Sequence, residues 1–464
     1  MASNYSCSES MMNSAETTIL RPRPFALYSG SLLLLPLLPP RKPLKPLPAE
    51  IWAEIFASAL AYNKASREPA PAWAWSLAAV CKAFHVSHIR RRLSCQSSYP
   101  MRTKANVLPL LYFTISIRQI SNLEKFYDRL QIADQKWDSI RRIPYSTPGR
   151  WVQILDLSDL VFMGQAQALF LDSLLTQLFP LTPFLSILSV NPSFVLSRRV
   201  LSALALRDGA INIRVLSGLS YVTPSTSEPH EDPFVQLLRC CPNLEELSVV
   251  GQGLDPTELE FKSSSIEQSP MVPFIPLDLP KLRELMMLSM YSSPLMHALL
   301  QSPLPGLTKL TMTPYDDIPY PTSLTSQFIS VHGVTLKSLL LLTPKSWPTR
   351  LHPSPTNILT CAPNVLHLSL ETPLPTLTIM AKHHLKILSI PRPNTEFWRV
   401  LERLLPSLPE LTALRARDVR WLRKGVTSMA HEAGVQGEMR EWKRRLERRG
   451  IRLLDGEWRD SGNE

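Results

Sequence analysis

Glycine is scarce in this chain: 15 of 464 residues, about 3% where about 7% is usual. Chemistry built on glycine-rich loops starts from a poor position, and the sequence contains no GxxxxGK(S/T), no GxGxxG after a strand, no GxSxG and no HExxH. No catalytic residue can be named, so the chain is expected not to be an enzyme. Cysteine is equally thin, at positions 7, 81, 95, 240, 241 and 361. No CxxC pair and no secreted disulfide framework can be drawn from those spacings, which points to a reducing compartment, cytoplasmic or nuclear. The nearest approach to metal spacing is Cys81, His85, His88 and Cys95, which fits no common zinc pattern, so neither metal nor cofactor is expected. Long apolar runs are also missing. The stretch Phe25 to Leu38 is too short to span a bilayer, is followed by Pro39 and Pro40 and follows a polar, Ser-rich lead; it reads as part of a flexible leader over 1–43, not a secretory signal or a membrane helix.

Proline, by contrast, is abundant at 43 residues, and 44% of the side chains are hydrophobic, enough to bury sizeable cores. The formal charge of +11 is uneven: 1–150 holds 20 basic and 9 acidic residues, 151–414 holds 17 and 21, and 415–464 holds 13 and 9. A nucleic-acid channel would place a positive stripe through the body of the protein, and the middle of the chain has a net negative charge. Nucleic acid is therefore not the expected partner.

From Leu47 the run LPAEIWAEIFASAL places Ile51, Ile55 and Ala59 at four-residue spacing, with Pro48 suited to a first helical turn and Glu50 and Glu54 to the positive end of the helix dipole. A Pro- and Ala-rich loop leads to a second apolar stripe: Leu77, Val80, Cys81, Phe84 and Ile89. Together LPAEIWAEIF and LAAVCKAFHVSHIRRRL resemble an F-box of the basidiomycete type over about Leu44 to Leu93, with a long spacer from Tyr62 to Ala72. The resemblance implies a small helical domain over 44–95 that docks onto a Skp-type adaptor and, through it, a cullin scaffold. The docking residues it implies are Leu47, Pro48, Ile51, Ile55, Val80 and Phe84. Arg41, Lys42, Lys45 and Arg90 to Arg92 flank them and could steer an acidic adaptor.

The remaining 96–464 is organised by a repeat, P-x-L-x-x-L-x-apolar: PFLSILSV from Pro183, PNLEELSV from Pro242, PKLRELMM from Pro280, PGLTKLTM from Pro305, PNVLHLSL from Pro363 and PELTALRA from Pro409. Copies without the proline begin at Val152, Ile213, Leu336 and Leu385. Their first apolar positions (152, 185, 213, 244, 282, 307, 336, 365, 385 and 411) lie 20 to 38 residues apart. The final alternation predicts a short strand with inward leucines, and helical spacing predicts crossing segments at 166–178, 192–206, 233–241, 324–331 and 395–405. The pattern resembles leucine-rich repeats, irregular because the usual Asn or Cys position is mostly replaced and proline often follows the strand. The expected fold class is α/β: a short helical F-box followed by an irregular leucine-rich-repeat solenoid, parallel strands on the concave side and helices on the convex side. A first strand is expected near Leu111, and a last helix from Glu438 to Gly450 buries Met439, Trp442 and Leu446 before a final strand at Ile451, Leu453 and Leu454. Its basic residues, Lys443 to Arg445, Arg448 and Arg449, interleave with Glu438, Glu441 and Glu447 as a solvated face does. Asp316-Asp317 and His230-Glu231-Asp232 read as solvated turns.

The function implied is that of a substrate-recruiting subunit of an SCF-type ubiquitin ligase with an unidentified protein substrate. The alternative is a non-ligase repeat scaffold that binds a protein or RNA. Glu246, Lys309, His367 and Lys386 are expected to point outward from the strands.

Overall fold

A computed structural model describes residues 109, 112–135, 148–222, 232–251, 275–290, 293–314, 324–343, 357–372, 377–379, 381–421 and 434–460. The expected leader and helical domain, with Leu47, Pro48, Ile51, Ile55, Val80 and Phe84, lie outside the described residues, as does the Cys81 to Cys95 run.

Twelve strands form one sheet, in sequence order and parallel throughout: β1 (Thr114–Ser116), β2 (Ile154–Leu157), β3 (Ile187–Val190), β4 (Val215–Tyr221), β5 (Glu246–Gly251), β6 (Glu284–Leu288), β7 (Lys309–Met312), β8 (Ser338–Leu341), β9 (His367–Ser369), β10 (Ile387–Ile390), β11 (Ala413–Ala416) and β12 (Arg452–Leu454). Helices alternate with them: α1 (Ile120–Gln135), α2 (Gly164–Leu178), α3 (Arg198–Leu206), α4 (Pro233–Arg239), α5 (Pro294–Gln301), α6 (Thr325–His332), α7 (Ile358–Cys361), α8 (Thr395–Leu404) and α9 (Gly434–Glu447). A parallel pair needs a crossover between its strands, and each segment that turns back must bury its apolar stripe on the sheet.

Register explains the repeat. Leu155, Leu188, Leu216, Leu247, Leu285 and Leu310 pair side by side across β2 to β7. Leu339, Leu368, Leu388, Leu414 and Leu453 continue the row to β12. Every leucine in this row is buried. A second buried row is made by the first apolar position of each repeat, Val152 to Leu411, so all ten positions anticipated from the sequence are core residues. One backbone device recurs at the strand entrance. The carbonyl of Arg214 accepts from both Glu245 and Glu246, and that of Lys337 from both Leu366 and His367.

The Pro-Asn step shared by two repeats also has a physical role. Asn243 Nδ2 donates to the Ile211 carbonyl at 2.9 Å and Asn364 Nδ2 to the Val334 carbonyl at 2.8 Å, in each case reaching back to the turn that opens the preceding repeat. Asn212, at the same repeat position, reaches Pro183 at 3.4 Å. These amides satisfy turn carbonyls that the sheet leaves over.

The repeat is broken at β4, where the register shifts between Leu216 and Leu219. Gly218 sits there with φ 68°, and a Cβ would lie 2.1 Å from the Val190 carbonyl oxygen. Only glycine fits this bulge, which lets Leu219 take the buried place that alternation assigns to residue 218.

Helix boundaries are set by caps. The segment expected to be helical from Pro192 begins instead at Arg198, because Ser197 caps the Val200 N–H and Pro192 lies in the turn just after β3. The serine and asparagine caps Ser293 and Asn394 start α5 and α8, and α5 opens with Pro294. Helices α1, α5 and α7 were not anticipated.

The end of the sheet is closed as expected. Met439, Trp442 and Leu446 of α9 are buried, with Trp442 stacked on Phe397 at 5.9 Å and edge-on to Trp398 at 5.0 Å. Gly450, at φ 72°, ends the helix and lets Ile451 donate to the Leu446 carbonyl. Two basic residues of this helix form ion pairs, Lys443 with Glu447 and Asp460 and Arg445 with Glu441, and Arg449 just beyond its end pairs with Glu402.

Candidate functional site: the open strand face

Strand alternation turns one set of side chains to the helices and the other to the opposite, open face. On β2 to β4 the open face carries half-buried Ile154, Ile187 and Val215, with Ser189 and Ser217 bonded to each other at 2.8 Å. On β5 to β7 it carries Glu246, Glu284 and Lys309, and Lys309 Nζ meets Glu284 Oε2 at 2.7 Å. Glu246, Lys309 and His367, expected to point outward, stand on one register row; Lys386 is exposed but precedes β10 by one residue.

The densest polar cluster lies over β9 to β12. Arg417 Nη2 meets Glu371 Oε2 at 2.7 Å, while its Nη1 donates to Ser369 Oγ at 3.0 Å and the Leu341 carbonyl at 3.3 Å. His367 Nε2 is 2.8 Å from Ser389 Oγ. The His367 ring is pushed down to about 4, first by burial and then by the nearby charges of Arg415, Lys309 and Arg417, so it is neutral at physiological pH. Arg415 donates to the Gly456 carbonyl, and its guanidinium lies 4.2 Å from the ring centre of Trp458. That ring also meets His367 edge-on at 5.6 Å.

Trp458 arrives from the turn after β12. Its φ is 65°, a left-handed conformation unfavourable for an indole-bearing residue, and the turn is held by buried Asp455. The Asp455 carboxylate accepts from the N–H groups of Glu457, Arg459 and Trp421. Burial works against its ionisation, but these donors outweigh it and hold the carboxyl below its ordinary value. Sequence patterning could have found Arg415, which alternates with Leu414 and Ala416. No local signal could have brought Trp458 over β9.

Burial pushes the Cys241 thiol up to about 12. Asp232, expected in a solvated turn, is instead fully buried: it caps α4 through the Phe234 and Val235 N–H groups and accepts from Tyr221 Oη at 2.6 Å. Arg207 is likewise internal, tying the Thr182, Leu185 and Gly209 carbonyls together. Among the described residues no group of three or more His, Cys, Asp or Glu side chains could hold a metal ion, and no helix is long and apolar enough to cross a membrane. Asp316, Asp317, His230 and Glu231 lie outside the described residues. No protein-family model matches this chain, and no curated protein matches it in sequence.

Proposed function

We propose that this chain is the substrate-recognition subunit of an SCF-type cullin-RING ubiquitin ligase, working in the cytoplasm or nucleus. The observation that carries the reading is the union, on one chain, of the LPAEI and VCKAF elements with a long run of stacked leucine-rich units. In this reading the sheet is an irregular leucine-rich-repeat solenoid whose open strand face is the concave, substrate-holding side. The helical domain over 44–95 docks onto a Skp-type adaptor through Leu47, Pro48, Ile51, Ile55, Val80 and Phe84. An apolar helical surface of this kind is stable when a partner covers it, and its basic rim speeds encounter with an acidic adaptor. The chain needs no catalytic residue, since ubiquitin transfer belongs to other subunits.

The test is co-purification of the full chain with its adaptor. Ile51→Asp and Val80→Asp each place a charge in the apolar pair and are expected to abolish capture, while the circular dichroism of the repeat part is retained. Wild-type capture by both variants would leave the non-ligase repeat scaffold, binding a protein or RNA, as the better account.

A further inference from the structure

We propose that the open strand face over β9 to β12 receives a carboxylate-rich segment of a protein partner, bound by Arg415 and Arg452 beside the exposed ring of Trp458. The inference rests on the recruiting role above and names the class of substrate that face takes.

Charge is the first argument. The strands β7 to β12 carry Lys309, Arg415 and Arg452 on their outward rows and no carboxylate, and the turns that follow them add Arg417 beside Glu371, Asp418, Asp455 and Glu457. Two of these cations are already matched, Lys309 by Glu284 and Arg417 by Glu371. Among the described residues, Arg415 and Arg452 have no carboxylate within 4.0 Å. Arg415 is also half-buried: burial first and neighbouring Arg417 second disfavour its charged form, Asp455 and Asp418 offset this only in part from beyond contact distance, and its Nε has no hydrogen-bond partner. A half-buried cation with no carboxylate in direct contact is costly, and an arriving carboxylate reduces the cost. His367 is held neutral first by burial, and Arg415, Lys309 and Arg417 add to that effect from the same face.

Backbone strain is the second, independent argument. Trp458 is 46% exposed although a left-handed backbone and the Asp455 turn hold its ring over the strands. Strain that is maintained without burying the side chain is a feature of binding positions, and Trp and Arg dominate the energetics of protein interfaces. An acidic peptide suits this face better than a nucleic acid does. Glu284 and Glu371 stand among the cations, and the two unmatched guanidinium groups do not make the continuous stripe that a phosphate backbone requires.

The experiment selects a random 12-residue peptide library on the immobilised full chain. Selected peptides are expected to be enriched in Asp and Glu over the input pool and to be released by raised salt. Arg415→Gln and the exposed Arg452→Gln are each expected to weaken a selected acidic peptide, by about 30-fold for the half-buried Arg415. Unchanged circular dichroism and urea midpoint exclude misfolding, and Arg452→Gln serves where Arg415→Gln does not fold. Ile51→Asp must leave peptide binding intact, so a failure of adaptor docking is read separately. Selection without acidic enrichment, equal binding by wild type and both arginine variants, or tighter Arg415-dependent binding of poly(U) RNA than of any selected peptide would each overturn the proposal.

Discussion

Arg417, just after β11, reaches across β10 to Glu371, just after β9, and closes an ion pair at 2.7 Å over 46 residues of chain. The two side chains are 12% and 16% exposed, which puts the pair between the surface case, where it would contribute little, and the buried case, where losing one partner is severe.

Glu371→Gln should therefore cost about 1.5 to 3 kcal/mol, because the guanidinium would lose its charged partner while staying partly desolvated. Urea unfolding of the variant checks this. Glu371→Leu combined with Arg417→Met should recover part of the loss, and strictly additive losses would show the pair to be uncoupled.

The leucine row makes a sharper demand. Leu247→Ala and Leu368→Ala should each cost about 2 to 5 kcal/mol, whereas Glu246→Ala, on the open face beside Leu247, should be nearly silent. Equal losses at the three positions in a urea titration would mean that inward and outward faces are misassigned.

Asn364 tests the clamp between repeats. Asn364→Ala should cost about 0.5 to 1.5 kcal/mol by releasing the Val334 carbonyl. Asn364→Asp should be worse at neutral pH, because a carboxylate cannot donate and would face that carbonyl with negative charge. Thermal melts of the two variants separate the outcomes.

Acid should loosen the end of the sheet in a defined window. The His367 value is lowered from 6.5 to about 4 in the fold, so its contribution is complete above 6.5 and is lost as pH falls from 6.5 towards 4, where the unfolded chain binds a proton and the folded chain does not. His367→Gln should reduce the slope of stability against pH over that interval, the remainder coming from His297, His332 and His383, which burial also lowers. The Asp455 carboxyl is held below its ordinary 3.8, so its contribution is lost only at lower pH. A midpoint measured by urea across pH 2 to 7 distinguishes the two.

What the sequence determined alone is the part of the fold governed by short-range periodicity. LxxLxL alternation requires strands with one apolar face, and the ten repeat origins from Val152 to Leu411 all fall in the core because the same spacing recurs with the same burial. The Met439, Trp442 and Leu446 face and the Gly450 stop were legible for the same local reason. Boundaries were read less well where caps and proline compete with periodicity, as at Pro192 and Ser197, and α7, at four residues, has too few turns to display a period. Gly218 hid the shift of burial to Leu219, since a bulge is a property of two paired strands. The cluster of Arg415, Arg417, Glu371, His367 and Trp458 was decided only by the tertiary structure. Its members come from three units, those of β9, β11 and β12, at sequence separations of up to 91 residues (458 − 367), and only the stacking of β9 to β12 and the buried Asp455 turn bring them to one place.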